Sequence, residues 1–337
     1  MPLNKVILTA LMLSVLPAVG HADPIAPFGV ASAYNLVALG SSTYAGNITL
    51  GPDVGGRVAA AGTITSGPSG STIGSSLVND PFGGLASYGL VAAGGLTSGS
   101  TFYMNGGGNA FASSSAATIY FNDGGSLVTS PTAPIDFSGL QSTLDAETLT
   151  LAGLATNGVV GAPTPPGGNP SWLVLQGTTA VNVFDLTATQ FATATLDIEV
   201  PSGATVIINV AGTNVTLGNA IYFGGVQYHG DSPADENVMF NFSTATNVDV
   251  SAGLDASVLA PYALLTSSGQ IDGNFIAAQI DITGSGEAHN VEFTGTVTQP
   301  GSPKDPPPSV VPEPGTLLMM GTGAMALMAE LRRKRLI

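Results

Sequence analysis

One short phrase returns in variant form along this chain: VAAAGTITSG from Val58, VAAGGLTSG from Val91, VLAPYALLTSSG from Val258 and IAAQIDITGSG from Ile276. Each is a short apolar β run, a patch of small residues, a second β run and a turn that contains glycine. The last two copies begin 18 residues apart, which suits one coil of a β-solenoid with short strands. Stacked coils would turn their β-branched residues into a narrow core, and Ala and Gly would let the coils approach closely. The first two copies are also what chance similarity would give in a chain rich in Ala and Gly. The expectation is a mainly β protein, a right-handed parallel β-helix or solenoid; strand counts alone also fit a β-sandwich.

Composition supports the β reading. Gly supplies 45 of 337 residues, charged residues are only 9%, and the 44% hydrophobic fraction is enough for a sizeable core. Cysteine is absent, which removes disulfides, thiolate metal sites and a cysteine nucleophile from consideration. One segment departs from the pattern, PIDFSGLQSTLDAETLTLAGLATNG. Phe137, Leu140, Leu144, Leu151 and Leu154 fall at three- and four-residue steps with one turn skipped, predicting an amphipathic helix over about 136–155. Asp136 would cap its start, and Asn157 with Gly158 would close its end. Such a helix would cover the apolar side of the solenoid or one open end, where bare strand edges invite aggregation.

The two ends carry membrane signals. MPLNKVILTALMLSVLPAVGHADP holds Lys5, an apolar run from Val6 to Leu16, and then Gly20 and Ala22, the small residues that precede a signal-peptidase cut. Cleavage is expected between Ala22 and Asp23, because the run falls short of the roughly 20 residues a lasting anchor needs. At the other end an apolar run from Leu317 to Ala329 is followed by Arg332, Arg333, Lys334 and Arg335, four of the seven basic residues in the chain. That cluster would hold the end on the cytoplasmic side, and the short run would form a hydrophobic transmembrane helix suited to temporary holding. Glu330 near the helix end would snorkel to the interface. PGSPKDPPPSVVPEP just before it favours extended polyproline II geometry and reads as a spacer. The predicted organisation is a signal peptide over 1–22, a body over 23–299, a linker over 300–311 and a tail over 312–337.

The tail, with VPEP at Val311 to Pro314, a short apolar helix and an Arg-rich end, closely resembles the PEP-CTERM sorting signal. The resemblance implies recognition at Pro312, Glu313 and Pro314, and removal of the tail by an exosortase in a Gram-negative bacterium that makes extracellular polysaccharide. The body resembles the choice-of-anchor A domain through YNLVALG, GRVAAAGTI, IDFSGL, VNVFDL, VPSGATVIINVAG, VMFNFSTATNVDV, SVLAPYALL, IDGNFIAAQI and GEAHNVEFTG, in that order over roughly residues 30 to 296. That family implies a β-helical, adhesin-like surface or biofilm domain with no established catalytic residues. The partners implied are signal peptidase and the general secretion machinery, an exosortase, and extracellular polysaccharide.

Chemistry-bearing constellations are few. GEAHN places Glu287 and His289 two apart, so in a strand both face one side and form a hydrogen-bonded pair; no nucleophile accompanies them, and the pair reads as structural. YHGDSPADEN gathers His229, Asp231, Asp235 and Glu236; the oxygen ligands Asp231, Asp235 and Glu236 would suit Ca²⁺ but lack the EF-hand spacing, and a solvated acidic loop is the plainer reading. No other cofactor is implied. From Asp23 to Val311 the chain has 20 acidic residues against Arg57 and Lys304, which argues against nucleic acid and against unbridged binding of acidic polysaccharide. The expected function is a secreted, non-catalytic surface or matrix protein. Two alternatives remain: a polysaccharide-acting β-helical enzyme, and a Thr-rich, ice-binding-like surface suggested by TAT at Thr187, Thr193 and Thr244, whose uneven spacing shows no regular array.

Overall fold

The computed structural model describes residues 24–25, 27–77, 88–106, 108–161, 172–227 and 236–298. The chain divides into two compact units, Ala26–Val297 and the joined ends Met1–Ile25 with Thr298–Ile337. The second unit is described only at Pro24–Ile25 and Thr298, so the expected signal peptide, linker, sorting motif, transmembrane helix and basic cluster lie outside the described residues. Among the described residues no helix is long and apolar enough to cross a membrane.

The body is a parallel β-solenoid whose longest face is built from ten strands. These are β1 (Leu36–Ala38), β2 (Val58–Ala60), β3 (Tyr88–Ala92), β4 (Asn109–Ala112) and β5 (Leu127–Thr129). They continue with β6 (Val181–Thr187), β7 (Thr205–Ala211), β8 (Val238–Asn241), β9 (Ser257–Ser267) and β10 (Phe275–Ile282). Across the face they lie in the order β5-β4-β3-β2-β1-β10-β9-β8-β7-β6. The chain therefore starts in the middle and winds outward to β5. It then crosses to the opposite edge through helix α1 (Phe137–Ala152) and winds back from β6 until β10 pairs with β1. Every ladder along this face is parallel, which excludes the antiparallel sandwich alternative.

Each coil makes two further faces. The second carries Gly95–Leu96, Thr63–Thr65, Ile48–Thr49, the far halves of β10 and β9, Asn247–Asp249 and Asn214–Thr216. The third carries seven strands from Thr118–Phe121 to Leu254–Asp255, and the coils of β6 and β7 complete it with Trp172–Gln176, Thr195–Glu199 and Ile221–Phe223. One antiparallel pair, Val159–Val160 with Trp172–Gln176, closes the edge of that last sheet.

The repeated phrases stack on one another, one residue away from the expected alignment: Ala59 pairs with Val91 and Leu259 with Ile276, while Val258 pairs with Phe275, 17 residues on. Their unbroken apolar character has a cause in the long face, which is buried on both sides. Leu36, Ala38, Val58, Ala60, Val258 and Phe275 point into the solenoid, whereas Val37, Ala59, Val91, Leu259 and Ile276 point outward into a second core under α1. A strand covered on both faces reads as a continuous hydrophobic run rather than an alternating one. At the coil corners glycine is required by contact. A Cβ on Gly94 would lie 2.6 Å from the Gly62 carbonyl carbon, and one on Gly62 would lie 2.3 Å from Asn47 Oδ1.

Helix α1 begins as expected, with the Asp136 side chain accepting from the Gly139 N–H at 3.0 Å. Phe137, Leu140, Leu144 and Leu151 are buried against the long face. The skipped turn is filled by Thr148, fully buried, whose hydroxyl donates to Asn241 Oδ1 at 2.5 Å. Asn241 Nδ2 donates in turn to Thr148 O and Asn209 Oδ1, both at 2.9 Å. The gap in the leucine pattern is thus a polar latch between helix and sheet. The expected C-terminal closure is corrected: the helix ends at Gly153, and Asn157 instead binds β6, accepting from Val183 N–H at 2.7 Å and donating to Val181 O at 2.9 Å.

The seam between first and last coils is held by two buried asparagines. Asn35 Nδ2 donates to Gly273 O at 2.5 Å and His289 O at 3.0 Å. Asn274 Nδ2 donates to Ser32 O at 3.1 Å and Tyr34 O at 2.8 Å, and its Oδ1 accepts from Phe293 N–H at 2.7 Å. Asn274→Ala would leave three backbone groups without these partners in a site only 1% exposed. The expected cost is about 3 kcal/mol of stability, read from chemical denaturation, with the midpoint moving and the slope unchanged.

Candidate binding face

The second face has the geometry of a flat, regular surface. Its inward row is Val215, Val248, Leu265, Ile280, Ile48, Ile64 and Leu96, each 5% exposed or less. Period-two alternation sends the residues on either side outward. One outward row reads Thr216, Asp249, Thr266, Asp281, Thr49, Thr65 and Thr97. The other reads Asn214, Asn247, Leu264, Gln279, Asn47 and Thr63. With rungs about 4.8 Å apart and rows about 6.7 Å apart, the longer row extends about 29 Å.

Neighbouring rungs bond to one another, so the array is stiff. Thr65 and Thr97 share a hydroxyl hydrogen bond at 2.8 Å, and Thr49 Oγ1 donates to Asp281 Oδ1 at 3.0 Å. Asn47 Oδ1 accepts from Thr63 N–H at 2.9 Å and Thr63 Oγ1 at 3.1 Å, and Asn247 Nδ2 donates to Asn214 Oδ1 at 2.8 Å. Tyr44 reaches across the face, donating to Thr246 O at 3.1 Å. The array stops beyond Thr216, where the coil of β6 replaces the strand with helix α2 (Ala188–Thr193). Phe191 of α2 is fully buried and packs edge-on against Phe240 and Phe242.

The threonines singled out from the sequence are elsewhere. Thr187 caps α2, Thr193 bonds Thr189 O within it, and Thr244 lies beside Gly212. A regular array does exist, contrary to expectation, but it is made of threonines from separate coils. The signal available was the Thr-x-Thr of TIT at 63–65; the other rungs mix Thr49, Thr97, Thr216 and Thr266 with Asn, Gln, Asp and Leu positions that align only once the register is known.

Glu287 and His289 do share the third face, with Glu287 Oε2 3.7 Å from His289 Nε2. The closer partner was not legible locally: His289 Nδ1 hydrogen-bonds Asp272 Oδ1 at 2.6 Å, because Asp272 is the register neighbour one coil earlier. Glu287 also pairs in register with Asp53, whose Oδ2 accepts from Ser75 Oγ at 3.1 Å. Burial holds the Asp53 carboxyl above its ordinary range, partly offset by the Ser75 bond, with Glu287 adding a further upward push. Of the acidic loop, Asp231 and Asp235 lie outside the described residues, and Glu236 offers its backbone carbonyl to Thr294 N–H at 2.7 Å. Among the described residues no group of three His, Cys, Asp or Glu is placed to hold a metal ion.

Residues 27–290 match the family described as "Putative Ice-binding-like adhesive domain", and residues 310–334 match the PEP-CTERM protein-sorting motif. The chain belongs to the ice-binding-like adhesive domain family, and its sorting motif marks it for secretion to the cell surface and for exosortase processing. No curated protein matches it. Among solved structures it is similar to an ice-binding protein from an Antarctic ascomycete, Antarctomyces psychrotrophicus, at 12% identity and a TM-score of 0.35, covering 80% of this chain and 98% of that one. It is also similar to a glycosylated ice-binding protein from an Arctic yeast, at 14% identity and a TM-score of 0.35, covering 88% and 100%.

A raised carboxyl pKa means the folded state binds a proton that the unfolded state has released. Asp53 therefore contributes full stability below the ordinary carboxylate pKa and loses it as pH rises through its own raised value. Asp53→Asn should melt at a higher temperature than the parent at pH 7.5 and at the same temperature near pH 3; calorimetry at the two pH values checks this.

Proposed function

We propose that the chain is a secreted, non-catalytic adhesin-like protein that grips extended extracellular material through the second face of its solenoid. The observation that carries this reading is the two-row array of hydroxyls, amides and carboxylates mounted on a fully buried apolar row. Such a surface loses little conformational entropy on contact, because its groups are already held by one another. In finer detail the protein is of the choice-of-anchor A type, wound right-handed as about 98% of parallel crossovers are, and works in the polysaccharide matrix of a biofilm. Cleavage after Ala22 frees the start. The stretch from Leu317 to Ala329 holds the precursor in the inner membrane, Arg332, Arg333, Lys334 and Arg335 set its orientation, and an exosortase that reads Pro312, Glu313 and Pro314 removes the tail.

A second reading, ice binding, is favoured by the three consecutive threonines Thr49, Thr65 and Thr97 on adjacent rungs, which can order water periodically. Asp281 and Asp249 in the same row weigh against it, since carboxylates bind water in their own geometry. The enzyme alternative draws no support from Glu287 and His289, which are engaged with Asp272 and with each other.

Replacing Thr65 and Thr266 together by Lys should weaken adhesion of the purified protein to matrix polysaccharide about tenfold or more. The unfolding free energy should fall by no more than about 1.5 kcal/mol, the range of one lost hydrogen bond, since Thr65 gives up its bond to Thr97 and both positions are half-buried. Unchanged adhesion would remove the second face from the account, and thermal hysteresis lost in the same variant would move it to the ice-binding reading. Changing all four basic residues from Arg332 to Arg335 to Ser should leave the precursor misplaced or released untrimmed, seen by mass measurement of its ends; normal trimming would contradict the role given to them.

A further inference from the structure

The third face carries an arrangement that the second face does not use. On the adjacent strands Trp172–Gln176, Thr195–Glu199 and Ile221–Phe223, the residues Leu173, Leu175, Leu196, Ile198, Ile221 and Phe223 join the core. Alternation then turns Trp172, Asp197 and Tyr222 outward. Trp172 is the register partner of Thr195, and Tyr222 of Asp197. The two outer strands are about 9.6 Å apart, yet the Trp172 and Tyr222 ring centroids are 4.5 Å apart. Both rings therefore lean in over the middle strand.

Asp197 lies in that middle strand and is 0% exposed. Its neighbours in register are Val174 on one side and Tyr222 on the other. Oδ1 accepts from the Gly225 N–H at 2.9 Å, and Oδ2 has no hydrogen-bond partner. A carboxylate oxygen without a donor in such surroundings is costly, and among the described residues the sole Lys or Arg is Arg57, in the coil of β2. The turn beside Asp197 is tied to the middle strand by the Gly225 bond and by Gly224 N–H donating to Ile198 O at 3.1 Å. Gly224 and Gly225 have φ of 57° and 79°, the left-handed region that glycine adopts without strain, and Val226 at the tip is 49% exposed.

An acceptor short of a donor, beside two aromatic faces and with no Lys or Arg near it among the described residues, is complementary to a ligand with an ammonium group on a ring whose C–H face can stack. Aromatic faces attract cations as well as C–H groups. We propose that Trp172, Tyr222 and Asp197 form a binding site for an amino sugar bearing a protonated primary amine. The ammonium pairs with Asp197 Oδ2 as the Gly224–Gly225 turn lifts, and the pyranose packs on the aromatic pair. The site is separate from the second face and does not rest on the adhesive reading of it.

Trp172 is the one tryptophan in the chain, so its fluorescence reports this site alone. Titration with a fully deacetylated glucosamine tetrasaccharide should give a saturable spectral change. Its N-acetylated counterpart should bind about tenfold more weakly or worse, the effect of losing one charge-assisted hydrogen bond. Tetralysine, equally cationic but without a pyranose ring, should not reproduce the change. Asp197→Asn keeps an acceptor for Gly225 and should weaken the tetrasaccharide about tenfold without lowering the melting temperature; if that variant does not fold, Tyr222→Ala should show the same loss. Equal binding of the acetylated sugar, an equal response to tetralysine, undiminished binding in the variant, or no response at millimolar sugar would each overturn the proposal. Thr65 with Thr266 changed to Lys should leave this titration as it was, which separates failure here from failure of the second face.

Discussion

The structure depends on one long-range contact, the pairing of β1 with β10. A solenoid wound in a single direction would need only neighbours in sequence, but this chain starts in its own middle. Its two halves, 27–129 and 181–297, become one stack where the last coil meets the first: Phe275–Ala277 lies beside Leu36–Ala38, Ile280–Asp281 beside Ile48–Thr49 and Glu287–Ala288 beside Asp53–Val54. Backbone bonds alone would leave the corner carbonyls of Ser32, Tyr34 and Gly273 without donors. Asn35 and Asn274 supply those donors from buried positions, each with a geometry that no apolar side chain reproduces. Closing a loop of about 240 residues costs entropy that grows only slowly with length, so a few buried bonds and a shared core are enough to hold it.

The flat second face inherits its continuity from the same contact. Asp281 belongs to the last coil and Thr49 to the first, and they are adjacent rungs joined by a hydrogen bond. Without the seam the outward rows would be two short arrays, one of three rungs and one of four. The His289–Asp272 pair stands on the third face of the same last coils, and the His289 carbonyl is one of the groups Asn35 holds. The Gly-Glu-x-His phrase thus lies in the coil that meets the first one.

Much of this was written locally in the sequence. Short apolar runs with glycine corners gave the solenoid, and the leucine spacing with Asp136 gave the start of α1. The order of the coils was not local. Nothing near Leu36 names Phe275 as its neighbour, because strand pairing is fixed by a register that spans the chain. For the same reason the array on the second face was invisible: Asn247, Gln279 and Asp281 contribute to it by alignment, while the conspicuous TAT triplets at Thr187 and Thr193 belong to a short helix and its cap. Thr148 shows the opposite case. A polar residue on the apolar stripe looked like a missing turn, and its meaning came from Asn241, supplied by a strand 93 residues away.

The claim on which the rest stands is that the two halves form one cooperative stack. Native-state hydrogen exchange, resolved to single amides, tests it most directly. The account predicts that Val37 and Ile276 exchange only through global unfolding, at the same rate as Ile48 and Ile280. Exchange of Val37 through a much easier local opening, with Ile276 and Ile280 still protected, would contradict it.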